Sequence, residues 1–507
     1  MFSVKQEFNN KRVEGTDKVV ICNSLEGLRV DSKVTSLIPR DICLKYNLIP
    51  LEANHQLKTV NILTSYPIMG LNSEDIRFIL GYEPIFLHYH NLQELEQFIC
   101  NALQSTLIIK DTRDEIKSVD APKDQEGDAP AVKIVNYIIN EALRLLASDI
   151  HIEPFKSYYR VRFRVDGYLR EGFRFSKASY NAIISRIKVI SKIDISEKRL
   201  PLDGRIGINS NGTLWDLRVS TIPTVNGEKI VIRIFQEKTK IKGLHDIGLI
   251  NENLSIIESF LNQKSGIILV SGPTGSGKST TLYTMLRQLD MNKRNIITIE
   301  DPVEQCIEGI TQVNVNSKIG FDFASGLRSI LRQDPDVIMV GEIRDSHTAS
   351  IAMRAAITGH LVLSTIHTHD SHSVVERLLD MGIEPYLISS GLSGVISQRL
   401  VRKICNNCVE SYTPSDYEIN ILNITRSDLL KKGSGCIKCS YTGYLGRIGV
   451  FETLQISSSY RESLGNRLGS SNLIKEANEE NFISLKDSAI SLLKMGVTTT
   501  SEVLSII

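Results

Sequence analysis

Ile267-Ile268-Leu269-Val270-Ser271-Gly272-Pro273-Thr274-Gly275-Ser276-Gly277-Lys278-Ser279 decides the fold. An apolar run ending in Ser271 has the character of a strand buried on both faces. The text from Thr280 onward, Thr280-Thr281-Leu282-Tyr283-Thr284-Met285-Leu286, has helical spacing. Between them Gly272 to Ser279 spells G-x-x-x-x-G-K-S, a phosphate loop. A strand, a glycine-rich turn and a helix start gather backbone N–H groups and a positive dipole end around one polyphosphate. Gly272, Pro273, Thr274, Gly275, Ser276, Gly277 and Thr280 are thus expected at the phosphates. Lys278 is expected to reach the β- and γ-phosphates, and Ser279 to ligate Mg²⁺. The chain is predicted to bind ATP or GTP.

The surroundings agree with an α/β nucleotide-binding domain. Apolar strands alternate with helical stretches from about Leu244 to Leu400, the signature of a parallel sheet covered on both faces. Two strands end in acids. Ile296-Ile297-Thr298-Ile299 leads into Glu300-Asp301-Pro302, and Val337-Ile338-Met339-Val340 into Gly341-Glu342. Strand C-termini face the ligand crevice in open sheets, so Glu300 and Asp301 are candidates for placing water and Mg²⁺. Glu342 is the preferred general base. The alternatives are a polar turn for the first pair and an ion-paired strand end for Glu342. Gly341 stands where an Asp commonly follows the apolar run, which shifts the expected Mg²⁺ contact toward Ser279 and water. A third strand, Leu361 to Ile366, is bracketed by His360 and His367, of which at least one is expected near phosphate. Arg328, Arg332 and Arg344 lie close to these acids in sequence, with pairing to Asp334, Asp336 or Asp345 as the ordinary alternative.

A chain of 507 residues exceeds one core and suggests three or four domains. The expected division is a docking module over 1–108, a charged linker over 109–130, an α+β domain over 131–238 and the nucleotide domain over 239–507. The α+β domain contains Tyr159-Arg160-Val161-Arg162-Phe163-Arg164-Val165, whose strict alternation predicts a strand with arginines on one face. Asp166-Gly167 is a hairpin signal. In the first module, helices are expected from Ile38 to near Tyr46 and after a cap within Asn72–Asp75. The formal net charge is +1, which opposes a nucleic-acid coat. No run of eighteen apolar residues and no signal-peptide core occur in the sequence, so a cytosolic chain without a membrane span is expected. Cys405-x-x-Cys408 and Cys436-x-x-Cys439 have the spacing of a Cys₄ zinc site. A redox pair and a nucleic-acid zinc ribbon are the other readings. The zinc-binding subdomain is set at 401–447.

Together these segments resemble the secretion and pilus-assembly ATPases, most closely the type II secretion system ATPases. The matching text includes Ala147-Ser148-Asp149-Ile150-His151-Ile152-Glu153-Pro154, Asp203-Gly204-Arg205 and Gly227-Glu228-Lys229. It continues through the phosphate loop, Ile299 to Glu304, Leu331 to Asp336, Gly341 to Asp345, the histidine segment and the cysteines. The resemblance implies a RecA-like ATPase domain, a PAS-like α+β domain before it, and a homo-hexamer. It also implies that Arg218 and Arg233 reach the phosphates, and that His367 belongs to the site with Glu342 and Lys278. It implies ATP, Mg²⁺ and Zn²⁺ as ligands, and a cytoplasmic location peripheral to the inner membrane. The implied partners are an inner-membrane platform protein and the cytoplasmic domain of a docking protein. Type IV pilus assembly is the sister function, and nucleic-acid translocation the competing class. Leu202 stands where the family has Gln, and His369 where it has Asn. The N-terminal module lacks the arginine-leucine-glycine signature of cyclic-di-GMP-binding relatives, and that ligand is not expected.

Overall fold

The computed structural model describes residues 19–22, 47–54, 56–65, 82–104, 130–210, 213–236, 243–249, 251–465 and 482–507, with isolated positions between 24 and 43 and Arg77. The helices expected at Ile38–Tyr46 and after Asn72, and nearly all of the 109–130 linker, lie outside the described residues. The chain forms two compact units, Met1–Lys238 and Thr239–Ile507.

The first unit carries two sheets. One joins β1 (Val19–Ile21), β2 (Leu48–Asn54), β3 (Thr59–Ser65) and β4 (Glu83–Tyr89) in the order β1-β4-β3-β2, followed by helix Leu92–Gln104. The other is antiparallel: β5 (Asp149–Pro154), β6 (Tyr158–Val165), β7 (Tyr168–Ser176), β8 (Leu202–Ser210), β9 (Thr213–Thr224) and β10 (Gly227–Gln236), ordered β7-β6-β5-β10-β9-β8. Alternation along β6 sends Tyr159, Val161, Phe163 and Val165 into the core and Arg160, Arg162 and Arg164 outward. Helices Pro130–Arg144 and Tyr180–Ile190 bury Ile134, Ile138, Ile183 and Ile187 on the apolar side. The opposite face keeps its charges.

The second unit is built on β11 (Gly266–Ser271), β12 (Ile296–Glu300), β13 (Thr311–Asn314), β14 (Val337–Val340), β15 (Leu361–Ile366), β16 (Leu392–Ile404) and β19 (Tyr444–Gln455). A two-stranded ribbon of β17 (Val409–Tyr412) and β18 (Leu430–Gly433) lies between the last two in sequence. The order is β13-β12-β14-β15-β11-β16-β19, parallel except for the final β16–β19 pair. Every residue of β11, β12, β14 and β15 is buried. Ile267 and Leu269 enter one core, Ile268 and Val270 the other, which is why these strands read as continuous apolar runs. Each fully buried aliphatic side chain contributes roughly 1.5–3 kcal/mol, so the sheet is a rigid platform for its loops. A further core of Val401, Leu422, Leu430, Val450, Leu492 and Val503 joins β16 and β19 to the cysteine module and helices Leu485–Lys494 and Thr500–Leu504. Among the described residues, no helix is long and apolar enough to cross a membrane.

Candidate active site

The phosphate loop leaves β11 at Ser271 and enters helix Lys278–Gln288. Gly272 has φ +145°, and a Cβ there would sit 2.6 Å from the Gln398 carbonyl oxygen. Gly277 precedes the helix in the left-handed region, φ +89°, with Gln398 Nε2 3.0 Å from where its Cβ would lie. The loop therefore rests on β16, and larger residues would lift it off. The first N–H groups of the helix have no intrahelical acceptors. The hydroxyls of Ser271 and Ser276 are buried without a partner, polar atoms that an anionic ligand would satisfy. Lys278 donates to the carbonyls of Gly272 at 2.8 Å and Pro273 at 3.0 Å. Burial pushes this ammonium below its usual pKa, with nearby Glu342 opposing and Arg399 reinforcing. Ser279 is exposed.

Neighbouring strands bring two more groups beside Lys278. Register pairs β14 with β15 and β15 with β11, so residues following these strands gather at one edge of the sheet. Glu342 follows β14, and its carboxylate accepts from Arg344 Nη2 at 2.6 Å. His367 follows β15, with Nε2 3.8 Å from Glu342 Oε2. Its side chain is 49% exposed against 16% for Glu342. Burial and the Lys278 charge lower the imidazole pKa, with Glu342 opposing and Arg344 adding to the fall. His360 is not part of this group. Six residues of strand, about 20 Å, separate it from His367, and its Nδ1 lies 2.9 Å from the Ala355 carbonyl.

Glu300 has a crowded carboxylate. Oε1 accepts from Thr298 Oγ1 at 2.6 Å and Gln312 Nε2 at 3.2 Å, and Oε2 accepts from the Tyr283 hydroxyl. Asp301 beside it is exposed. Arg328 meets His347, and Arg332 donates to the Arg328 carbonyl. Asp345 caps helix Ser346–Ile357, and Asp336 accepts the Asn295 N–H at 2.7 Å.

In the first unit, Arg205, Arg218 and Arg233 stand opposite one another across β8, β9 and β10. Like charges in register repel. Only part of that repulsion is relieved, by Asp216 3.5 Å from Arg218 and Asp149 3.0 Å from Arg233. The Arg218 guanidinium also lies 4.4 Å over the Phe235 ring. All three arginines line a depression of about 520 Å³, a surface suited to a polyanion. The family resemblance implies Arg218 and Arg233, and the register adds Arg205 beside them.

The cysteines form a separate centre. Their sulfurs lie within 4.8 Å of one another. Cys405–Cys436 and Cys408–Cys439 are 3.8 Å apart and Cys436–Cys439 3.7 Å. These are far beyond a disulfide bond. They match the ~3.8 Å edge of a tetrahedron with Zn–S bonds of ~2.3 Å, so the donor set fits zinc. Burial pushes the Cys408 thiol up to about 12. Cys439 feels the same push, but N–H groups of Cys436 and Gly443 outweigh it and leave the thiol at about 7.

Gln398 and Arg399 carry no signal in the sequence and enter only through the structure. Gln398 is 2% exposed and accepts from Thr281 Oγ1 at 2.7 Å. Arg399 donates to the His369 carbonyl. That contact uses the main chain and the His369 ring is exposed, so it does not depend on which side chain stands at 369.

Residues 124–505 match the family described as Type II/IV secretion system protein, and residues 23–107 match the MshEN domain. The "Type II secretion system ATPase E" of Vibrio cholerae is 44% identical over 385 residues, 76% of each chain. "Type II secretion system protein HxcR" of Pseudomonas aeruginosa is 41% identical over 408 residues, 80% of this chain and 84% of that one. Among solved structures, the pilus retraction motor PilT with bound ADP superposes with TM-score 0.50 at 26% identity, covering 73% of this chain and 96% of that chain. The Legionella pneumophila ATPase DotB gives TM-score 0.56 at 21% identity over 76% and 97%, a likeness of fold. With its phosphate loop, its acid-ended parallel strands and these relatives, the chain belongs to the Type II/IV secretion system protein family, as an ATPase of the type II secretion branch.

Proposed function

We propose that this ATPase is the motor that powers pseudopilus assembly and, through it, protein export across the outer membrane. The observation that carries the reading is the meeting of Lys278, His367 and Glu342 at one edge of three adjacent strands. Backbone N–H groups from Gly272 to Thr280 and the Lys278 ammonium take the phosphates of ATP. Glu342 orients and deprotonates the attacking water, and His367 lies beside it to sense the γ-phosphate. The exposed Ser279 hydroxyl would hold Mg²⁺, whose charge would neutralise the phosphate oxygens. Glu300 secures the strand end through its three hydrogen bonds, and the exposed Asp301 beside it would add negative charge near a bound Mg²⁺. Arg218 and Arg233 bring further positive charge to the phosphates during turnover.

In this reading residues 1–108 dock the motor, 109–130 link, 131–238 form the arginine-bearing domain and 239–507 hydrolyse ATP. Cys405, Cys408, Cys436 and Cys439 hold a structural zinc within 401–447. The working form is a homo-hexamer in the cytoplasm at the inner membrane, engaging a platform protein and the cytoplasmic domain of a docking protein. Relatives 41–44% identical over about three quarters of this chain carry the name type II secretion system, which supports export. Near-neutral charge disfavours nucleic-acid translocation. A strain carrying Lys278→Ala is expected to lose export while twitching is kept. Loss of twitching with normal export would move the protein to pilus assembly. Hydrolysis stimulated by DNA and lost steeply with salt would make it a translocase.

A further inference from the structure

His367 is not held by its own side chain. Half of it is exposed, and the Glu342 carboxylate stands 3.8 Å from its Nε2, too far for a hydrogen bond. The position of the imidazole therefore depends on the main chain of the loop 367–371 that leaves β15. Asp370 ties that loop to the next helix by accepting the Ser373 N–H at 2.7 Å, and two further anchors come from β16 and β19. At its far end Ser371 donates its N–H at 2.9 Å to Glu452, a buried acid of β19 that also accepts the Leu485 N–H at 3.2 Å. At its centre the His369 carbonyl accepts from the Arg399 guanidinium, with Ser397 Oγ at 3.5 Å.

The central anchor comes from a telling place. Arg399 follows Gln398 on β16, and consecutive strand residues face opposite sides. Gln398 accepts from Thr281 in the first turn of the helix that follows the phosphate loop, and packs under Gly272 and Gly277 of the loop itself. Arg399 grips the histidine loop and also donates to the Gln398 carbonyl at 3.1 Å. One strand step therefore sets the spacing between the loop that carries Lys278 and the loop that carries His367. We infer that Arg399 is a positioning residue for hydrolysis, holding His367 against Glu342 by clamping the His369 carbonyl. The inference rests on the assignment of His367 and Glu342 to hydrolysis made above.

Two measurements on the full-length protein test it. Amide hydrogen exchange in Arg399→Gln is expected to accelerate at least ~10-fold at Ser371 and Ser373, whose N–H groups are bonded to Glu452 and Asp370, the signature of a released local segment. The helix Lys278–Gln288 should keep its protection. Steady-state turnover of the same variant should fall by roughly 10- to 100-fold in kcat, the range a misplaced reacting group produces, with KM for ATP within about two-fold. Arg399→Lys retains a cationic donor and should recover most of the rate. Adding His367→Ala to Arg399→Gln should cause no further loss, because the two act as one unit. Unchanged exchange in the loop, or losses that multiply in the double variant, would overturn the inference. If His367→Ala alone keeps normal turnover, the role given to the histidine fails, and with it the catalytic half of the inference. Loop exchange would still decide whether Arg399 is the clamp.

Discussion

Glu342 stands two residues past β14, all four of whose residues are buried, and a carboxylate in that place is costly unless it has a partner or a task. Arg344 is the partner, but it is itself largely exposed at 70%, a weak reason to keep an acid at the mouth of a phosphate site. Glu342→Gln keeps the shape and removes the base. Turnover should fall by ~10²–10³-fold, within the range for loss of general-base catalysis, while equilibrium binding of ATP is retained. Unaltered turnover would remove Glu342 from the chemistry. The sequence alone is a good guide to groups of this kind, because a phosphate loop is contiguous and an acid after an apolar run announces a strand end. It is a poor guide to contacts between distant segments. His360 and His367 look equivalent on paper, yet a strand's length parts them. The Glu300 carboxylate is engaged by Tyr283 and Gln312, seventeen residues before it and twelve after. Arg399 is invisible until register sets β16 beside β11.

The antiparallel sheet of the first unit carries its own electrostatic problem at the scale of a strand. Alternation along β6 was legible and fixed which arginines face outward, but it says nothing of what neutralises them. Glu153 on β5 does so, accepting from Arg162 at 2.7 Å, Arg160 at 3.0 Å and Lys229 at 3.2 Å. Burial would raise this carboxyl, yet the three cations hold it at about 2, well below the ordinary 4.5. A depressed folded-state pKa means the unfolded chain takes up the proton first. The stabilisation is therefore complete above the unfolded value and lost as pH falls toward 2. Glu153→Gln strands three cations beside a neutral amide. It should lower stability at pH 7 by roughly 3 kcal/mol. The deficit should shrink by about 1 kcal/mol at pH 4 and about 2 kcal/mol at pH 3. Denaturant unfolding of both proteins across that range measures it, and a deficit independent of pH would show that packing, not charge, is what Glu153 provides. The bounds of β6 were legible to within one residue, since its alternation from Tyr159 to Val165 is unbroken.

The cysteine module matters to the whole second unit because of what it is tied to. Cys405 follows β16, the strand that supports both the phosphate loop and the histidine loop, and its N–H bonds the Gly443 carbonyl at 2.9 Å at the start of β19. On the same strand Ile404 donates to the Val497 carbonyl at 2.9 Å, and Arg402 pairs at 2.6 Å with the buried Glu502. A metal joining Cys405 and Cys408 to Cys436 and Cys439 thus closes the β16–β19 excursion just where the C-terminal helices rest on it. Structural zinc contributes directly to folding free energy. Its removal should be felt first in 401–447, next in helices Leu485–Lys494 and Thr500–Leu504, and least at the far edge of the sheet. The purified protein is expected to contain one zinc per chain. Chelation, or Cys436→Ser with Cys439→Ser, should lower the melting temperature by roughly 5–10 °C. Hydrogen exchange should rise in those helices before it rises around β12 and β14. A metal-free protein with unchanged melting would leave the four thiols without a structural role. Uniform loosening of the sheet would mean that the module is fused to the core rather than seated on its edge.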